Sequence, residues 1–130
     1  MTDVPEGFEP IGGEGAFVQH VGPVLGRDGV VGLRIDERHL NSFGKAQGGL
    51  LATLVDFAIG HTVRRAADDG VAAATVSLTT DFLGGVEAGD WVTAHTRIER
   101  LGGTLAFVDC SVRCGEREVV RGRAVFAVLG

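Results

Sequence analysis

The chain has 130 residues, 45% of them hydrophobic and 22% charged, which is enough for one domain that folds without disulfides or a structural metal. Its net charge of −5 argues against a nucleic-acid-binding protein, which would carry a basic excess. No run approaches the ~18 consecutive apolar residues of a membrane span, so we expect a single soluble domain over residues 1–130.

The chain begins with an acidic lead-in over residues 1–15, punctuated by Gly and Pro, for which we expect irregular structure with room for one helical turn. Two strands are expected next, Ala16–Val24 and Val30–Asp36, joined by a turn at 26–29. The second strand alternates apolar side chains with polar or small ones, the pattern of a half-buried strand. Residues 39–47 carry Asn, Ser and Gly and are expected to form a loop.

One long helix is expected from Gly48 to about Ala67, ended by the Asp-Asp-Gly sequence at 68–70. Its apolar residues cover nearly the whole circumference, which indicates a helix buried on most sides. Four runs of strand length follow, and the short gaps between them predict antiparallel hairpins between sequence neighbours. These runs are Ala73–Leu83, Trp91–Arg100, Leu105–Cys114 and Val119–Leu129.

The predicted order is therefore β-β-α-β-β-β-β, an α+β arrangement of one apolar helix and one antiparallel sheet of five or six strands. A sheet of that size twists, and the simplest way to bury a helix that is apolar all round is to curl the sheet around it. This architecture is the hotdog fold, and we expect the chain to form one such domain.

The cysteines and the N-terminus both favour a reducing compartment. Cys110 and Cys114 are four residues apart on one predicted strand, ~13 Å, which is too far for a disulfide. The first residues show neither the basic start nor the apolar run of a signal peptide. We therefore expect a cytoplasmic protein.

The loop and the first half of the long helix carry a motif. It resembles the signature of hotdog thioesterases of the phenylacetate-pathway type, in the 4-hydroxybenzoyl-CoA thioesterase superfamily: His-x-Asn-x-x-Gly-x-x-His-Gly-Gly, then a helix with Leu-x-Asp-x-Ala. With the strand after the helix and the Gly-Asp that opens the next one, the resemblance spans about residues 31–129. It implies an acyl-CoA thioesterase. The matching positions are His39, Asn41, Gly44, Gly48, Gly49, Leu54, Asp56 and Ala58.

The resemblance also implies roles for individual residues. Asp56 would be the catalytic carboxylate, Asn41 would lie beside the thioester, and Thr75 would position water or the carboxylate. Two plainer interpretations stay open: Asn41 shapes the loop, and Thr75 is an ordinary strand residue.

The start of the helix, Gly48-Gly49, is a candidate oxyanion site. The first N–H groups of a helix are unpaired and carry a partial positive charge, and glycine lets a ligand approach the backbone closely. Such an end can polarise a thioester carbonyl and hold the developing negative charge. The alternative is that the two glycines only make a tight turn.

Asp56 lies among apolar residues in the middle of the helix, where an unpaired carboxylate is costly, so it needs a partner or a cavity. It is either a structural residue or the nucleophile or general base that attacks the thioester, directly or through water. Gly48 and Asp56 of one chain are ~12 Å apart along the helix and cannot reach the same carbonyl carbon. Two helices antiparallel across a dyad can, so we expect a homodimer, or a dimer of dimers, with the active site at the dimer interface.

Position 47 is Gln where this family usually has His. An amide can donate a hydrogen bond to a carbonyl but cannot transfer a proton at neutral pH. His61 is a candidate to compensate, or an ordinary core histidine. The other histidines are too scattered for a metal site, and we expect no cofactor beyond the CoA of the substrate.

An apolar pocket is expected to hold an aryl or medium-chain acyl group. Its expected substrate-binding residues are Gly49, Phe43, Phe57, Phe82 and Leu83. The CoA phosphates need cations, although strand alternation predicts a solvated outer face for most of the candidates. These are Arg64, Arg65, Arg97, Arg100, Arg113, Arg121 and Arg123.

We therefore predict hydrolysis of an acyl-CoA thioester, with no nucleic-acid or membrane partner. A first alternative is a non-catalytic acyl-CoA-binding or sensing protein, in which Gln47 marks lost chemistry. A second is a dehydratase or hydratase, which needs a histidine where Gln47 stands.

Overall fold

A computed structural model describes residues 4–12, 15–67 and 71–129. The predicted end of the long helix at 68–70 lies outside the described residues. A single 3-10 turn at Glu37–His39 precedes the loop. The elements in chain order are β1 (Glu9–Pro10), α1 (Ala16–Val21), β2 (Leu25–Arg27), β3 (Val30–Arg34), α2 (Gly48–Ala66), β4 (Ala72–Phe82), β5 (Trp91–Leu101), β6 (Leu105–Cys114) and β7 (Arg117–Leu129).

The strands form one antiparallel sheet in the order β1-β2-β3-β5-β6-β7-β4, with α2 packed against its inner face. The predicted hotdog fold is confirmed. The sheet has seven strands rather than five or six, because β1 lies within the expected irregular lead-in and pairs with the short β2.

The core lies between α2 and the inner face of the curled sheet. Nine of the nineteen residues of α2 are buried, which confirms that this helix is enclosed on most sides. Fully burying one Val, Leu or Ile side chain contributes about 1.5–3 kcal/mol, so this interface dominates the stability of the fold. From the sheet, Val31, Leu33, Val92, Val108, Val112 and Val120 fill the core.

The predicted strand Ala16–Val24 is wrong: it is helix α1, followed by a break at Gly22-Pro23 and then β2. Val18 and Val21 are three residues apart, so a helix places both on the side that packs against the core. Pro23 lacks an N–H and constrains the residue before it, which separates the helix from the strand. The turn also moves to Asp28-Gly29, whose positive φ angles close the β2–β3 hairpin.

The position of β4 also differs from the prediction. The short gap at 83–90 predicts a β4–β5 hairpin, but β4 pairs with β7 at the far end of the sheet. The connection passes the N-terminal end of α2, where Val86 accepts a hydrogen bond from Ala46. The segment thus carries the chain from the edge strand β4, past β7 and β6, to the interior strand β5. The other two predicted hairpins, β5–β6 and β6–β7, are confirmed.

None of the helices in the described ranges is long and apolar enough to cross a membrane.

Candidate active site

The N-terminus of α2 offers free backbone donors. Gln47 is the N-cap, with extended backbone angles and no side-chain hydrogen bond to the helix. Its carbonyl accepts from Leu50 and Leu51, while no acceptor for the N–H groups of Gly48 and Gly49 is present in the described part of the chain. A Cβ at Gly49 would meet no atom within 4 Å. Both N–H groups therefore lack an acceptor in the described residues, and the space beside Gly49 is open, as an oxyanion site requires.

Asp56 lies two turns further along α2, on the face that the sheet leaves uncovered. The Thr75 hydroxyl on β4 donates to Oδ1 of Asp56 at 2.6 Å. A β-bulge between Thr75 and Ser77 interrupts the register of β4 against β7, and such bulges re-aim side chains. No other hydrogen bond to this carboxylate is found within the described ranges, so Oδ2 is free to act on a ligand.

A cleft of about 490 Å³ opens at Asp56 between α2, α1 and β4. Gly49, Asp56 and Thr75 line it, together with Arg64 at the C-terminal end of the helix. The remaining walls are mainly apolar, from Phe17, Val18, Ala52, Phe57, Ala73, Leu78 and Phe126. We name this the Asp56 cleft. Its composition, apolar walls with a few convergent polar groups, is typical of a small-molecule site.

Gln47 lines a second cleft, of about 310 Å³, between α1, the 3-10 turn and the start of α2. This Gln47 cleft shares Phe17, Gly49 and Thr53 with the Asp56 cleft, so the two adjoin. Gln47 is exposed, and within the described residues its hydrogen bonds are made by its backbone N–H and carbonyl, not by its side chain. Its amide is therefore available to a ligand.

Asn41 and His39, both in the matching motif, have structural contacts. The side-chain oxygen of Asn41 accepts from the backbone N–H groups of Phe43 and Lys45, so it shapes the loop. His39 is 3% exposed; its Nδ1 accepts from Asp36 N, so Nε2 carries the proton that it donates to the carbonyl of Val21 at 2.7 Å. The nearby Asp36 carboxylate is therefore not an ion-pair partner of this neutral ring.

The expected substrate-binding residues are scattered. Gly49 and Phe57 line the Asp56 cleft. Phe82 leans on the start of α2, where its ring would lie 3.4 Å from a Cβ at Gly48. Phe43 is 85% exposed at the tip of the loop and Leu83 is 53% exposed, and neither lines the two clefts.

Phe17, Val18, Leu78 and Phe126 line the Asp56 cleft without having been predicted as site residues. Phe17 and Val18 were missed because their segment was interpreted as a strand. The signal that points to a helix is the i, i+3 spacing of Val18 and Val21 ahead of Gly22-Pro23.

His61 does not take the place of the missing family histidine. Its ring stacks on Phe57 with centroids 5.9 Å apart, and it does not line either cleft. Burial lowers the pKa of His61, and the neighbouring positive charges of Arg65 and Arg64 lower it further, so the ring is neutral at physiological pH.

Both cysteine thiols are free, and neither lines the Asp56 cleft. Burial raises the pKa of Cys110 to about 12, so this thiol is not a nucleophile at neutral pH. Burial and then the charge of Asp90 raise the pKa of Cys114. No group of three or more His, Cys, Asp or Glu side chains within the described ranges is placed to hold a metal ion.

The candidate arginines divide between the two sides of the molecule. Arg97 and Arg123 pair with Asp109, and Arg121 pairs with Glu118, on the outer face of the sheet. Arg64 alone among the candidates lines the Asp56 cleft, and no acidic partner for it occurs in the part of the chain that the structure describes.

Taken together, an apolar helix wrapped by an antiparallel sheet, free amides at its start and a carboxylate in an apolar cleft define a hotdog-fold thioester hydrolase. The chain belongs to the thioesterase superfamily, whose family pattern matches residues 43–121. The predicted enzyme class is thereby confirmed.

Individual relatives are similar over most of the chain. PA0474 of Pseudomonas aeruginosa, which bears the provisional name of an esterase, is 39% identical over 97% of this chain and 98% of its own. The structure of PA5202, a conserved protein of the same organism, has a TM-score of 0.82 and 26% identity, covering 89% of this chain and 95% of that one. BH2602 of Bacillus halodurans, solved with CoA, has a TM-score of 0.72 and 29% identity over 77% of this chain and 66% of its own.

Proposed function

We propose that the protein hydrolyses an acyl-CoA thioester, with an aryl or medium-chain acyl group, to the free acid and CoA. The observation that carries the proposal is the Asp56 carboxylate, held by Thr75 on one oxygen and open to an apolar cleft on the other. The CoA bound to BH2602 supports a CoA thioester as the ligand. The motif around Asn41 and Gly48 is what favours the phenylacetate-pathway type.

In the proposed reaction the carbonyl oxygen binds the N–H groups at the start of α2, which stabilise the negative charge that forms there. Asp56 either takes a proton from a water that adds to the carbonyl carbon, or adds itself to give a mixed anhydride that water then hydrolyses. Either way the C–S bond breaks, and CoA leaves as a thiolate that takes up a proton. Gln47 donates a hydrogen bond but moves no proton. No cofactor enters these steps.

The reacting groups come from two chains in this proposal. Gly48 and Asp56 of one helix are ~12 Å apart along its axis, so one thioester carbon cannot touch both. Strand β4 ends the sheet with eleven residues, and no strand of the described residues pairs with its outer edge. An open edge of that length pairs readily with a second copy, which would set two α2 helices side by side. We therefore propose a homodimer, or a dimer of dimers, with two shared sites.

We place the protein in the cytoplasm, where Cys110 and Cys114 would stay reduced. Arg64 is our candidate for the CoA phosphates or another anion of the ligand, because it is the cation in the Asp56 cleft.

The test is CoA release, followed with a thiol reagent, over a panel of aryl- and alkyl-CoA thioesters. Asp56→Ala should lower kcat by about 10²–10⁴ while circular dichroism shows a folded protein. Asp81→Ala is the matched control, since this exposed carboxylate lies on β4 outside the Asp56 cleft. An Asp56→Ala protein with the wild-type rate would exclude the proposed role of the carboxylate.

Gln47 favours the binding-protein alternative, because an amide replaces the family's usual histidine. Wild type that releases no CoA from any thioester, yet is stabilised against heat by an acyl-CoA, would establish a binding or sensing function instead.

A further inference from the structure

Phe17 is an exposed aromatic residue that the packing of α1 does not explain. Val18 and Val21 attach this short helix to the core, whereas the Phe17 side chain is 64% exposed. The ring nevertheless lines both the Asp56 cleft and the Gln47 cleft. Phe17 therefore lies where the two adjoining cavities meet.

The backbone that carries Phe17 is anchored at its C-terminal end. Nε2 of His39 donates to the carbonyl of Val21 at 2.7 Å, and the Arg38 guanidinium donates to the carbonyls of His20 and Gly22. These bonds tie α1 to the turn before the active-site loop. These hydrogen bonds hold in place the helix that carries the Phe17 ring.

The other residues shared by the two clefts have small side chains. Gly49 and Thr53 line both cavities, and a Cβ at Gly49 would meet nothing within 4 Å. Of the three residues that line both cavities, about 490 Å³ and 310 Å³, Phe17 has the one large side chain.

We propose that Phe17 is a specificity-determining residue that limits the length of the acyl tail. The tail of an uncharged acyl group lies in the Asp56 cleft against Phe57, Leu78 and Phe126, and the Phe17 ring stops it from entering the Gln47 cleft. This inference rests on the proposed function. In the proposed dimer each chain gives Asp56 to one site and Gln47 to the other, so Phe17 also keeps the two sites apart.

Binding measurements with S-(2-oxoalkyl)-CoA analogues, ketones that lack the scissile C–S bond, test the length limit without relying on turnover. We expect the affinity of wild type to rise with tail length and then stop rising. Phe17→Ala should extend the rise to longer tails, by about fourfold for each further methylene that becomes buried, with Phe17→Leu between the two. His20→Ala on the same helix lines neither cleft and is the matched control.

The outcomes separate this inference from the proposed function. The same length profile for wild type and Phe17→Ala, in a protein that hydrolyses acyl-CoA, overturns the role of Phe17 alone. Failure of both proteins to bind any analogue overturns the acyl site and the role of Phe17 together. A profile that His20→Ala shifts as much as Phe17→Ala does would assign the effect to the position of α1 and would also overturn it.

Discussion

At the scale of single residues, the Thr75–Asp56 hydrogen bond is the contact that organises the candidate site. The hydroxyl comes from a bulged position of β4, and it holds one carboxylate oxygen while the other faces the cleft. A hydrogen bond to a charged group contributes about 1.5–3 kcal/mol, which is large enough to fix a rotamer. In the proposed reaction Thr75 is therefore a positioning residue for Asp56.

Thr75→Val removes this hydrogen bond and keeps the shape of the side chain. We expect kcat to fall about tenfold or more with KM nearly unchanged, because the carboxylate is less well held while the acyl cleft is intact. Thr75→Ser restores the hydroxyl and should recover most of the rate. Steady-state kinetics on the best thioester of the panel measure this. A Val variant as active as the Ser variant would contradict the positioning role.

Residue identities alone indicated Asp56 and the glycine start of α2, because a carboxylate in an apolar helix and a pair of glycines at its first turn are visible in the sequence. Thr75 was named only through the resemblance to the thioesterase family. For Asn41 and His39, the sequence could not distinguish a role at the substrate from a structural role. Both match the motif, yet their hydrogen bonds are to backbone groups of the loop and of α1. Only the fold shows which atoms those side chains contact.

At the scale of elements, the close approach of β7 to α2 depends on Gly122. This residue is buried, and a Cβ there would lie 2.7 Å from Cγ1 of Val55, well inside van der Waals contact. The absent side chain lets the middle of the helix lie directly on the sheet. The position of Asp56, the residue after Val55, follows from this packing.

Gly122→Ala is therefore expected to lower the free energy of unfolding by about 1–3 kcal/mol, the usual cost of overpacking a core. Gly103→Ala is the control, since nothing lies within 4 Å of its Cβ position and its φ is not positive. The double variant Gly122→Ala with Val55→Ala should be less unstable than the sum of the two single variants. Urea denaturation measures all four proteins, and equal midpoints for the two glycine variants would refute the packing argument.

The pattern of apolar residues predicted the long helix and the long strands correctly. It did not predict the short helix α1 or the position of β4 in the sheet. Helix α2 and strands β4–β7 were predicted within about two residues at each end, because their periodicity is sustained. Helix α1 is six residues long, too short for periodicity to separate it from a strand. The placement of β4 beside β7 depends on the closure of the sheet around α2, which no local signal contains.

At the scale of the whole molecule, the proposed reaction needs groups from two chains. The free amide at Gly48 and the carboxylate at Asp56 belong to one helix and are ~12 Å apart along its axis. In the proposed dimer an antiparallel second helix would bring the amides of one chain to the carboxylate of the other and make two equivalent sites. The open edge of β4 provides the surface on which that pairing can occur.

Mixed dimers test this arrangement directly. Gly48→Pro removes the N–H group but suits the first position of a helix, and the extended backbone of Gln47 (φ −61°, ψ 135°) suits the residue before a proline. Gly48→Pro and Asp56→Ala should each be inactive alone. In a dimer of one chain of each kind, one site has Gly48 and Asp56 both intact and the other has neither. Random pairing should therefore restore about a quarter of the wild-type activity.

Co-expression with two different affinity tags allows the mixed dimers to be purified, which raises the expected activity to about half of wild type, one site in two. Dimers of two Asp56→Ala chains carrying the two tags serve as the control for contamination. Mixed dimers without activity, formed from folded single variants, would place both groups of each site in one chain. That result would also require α2 to bend or the ligand to span ~12 Å, because a straight helix cannot bring Gly48 and Asp56 to one carbon.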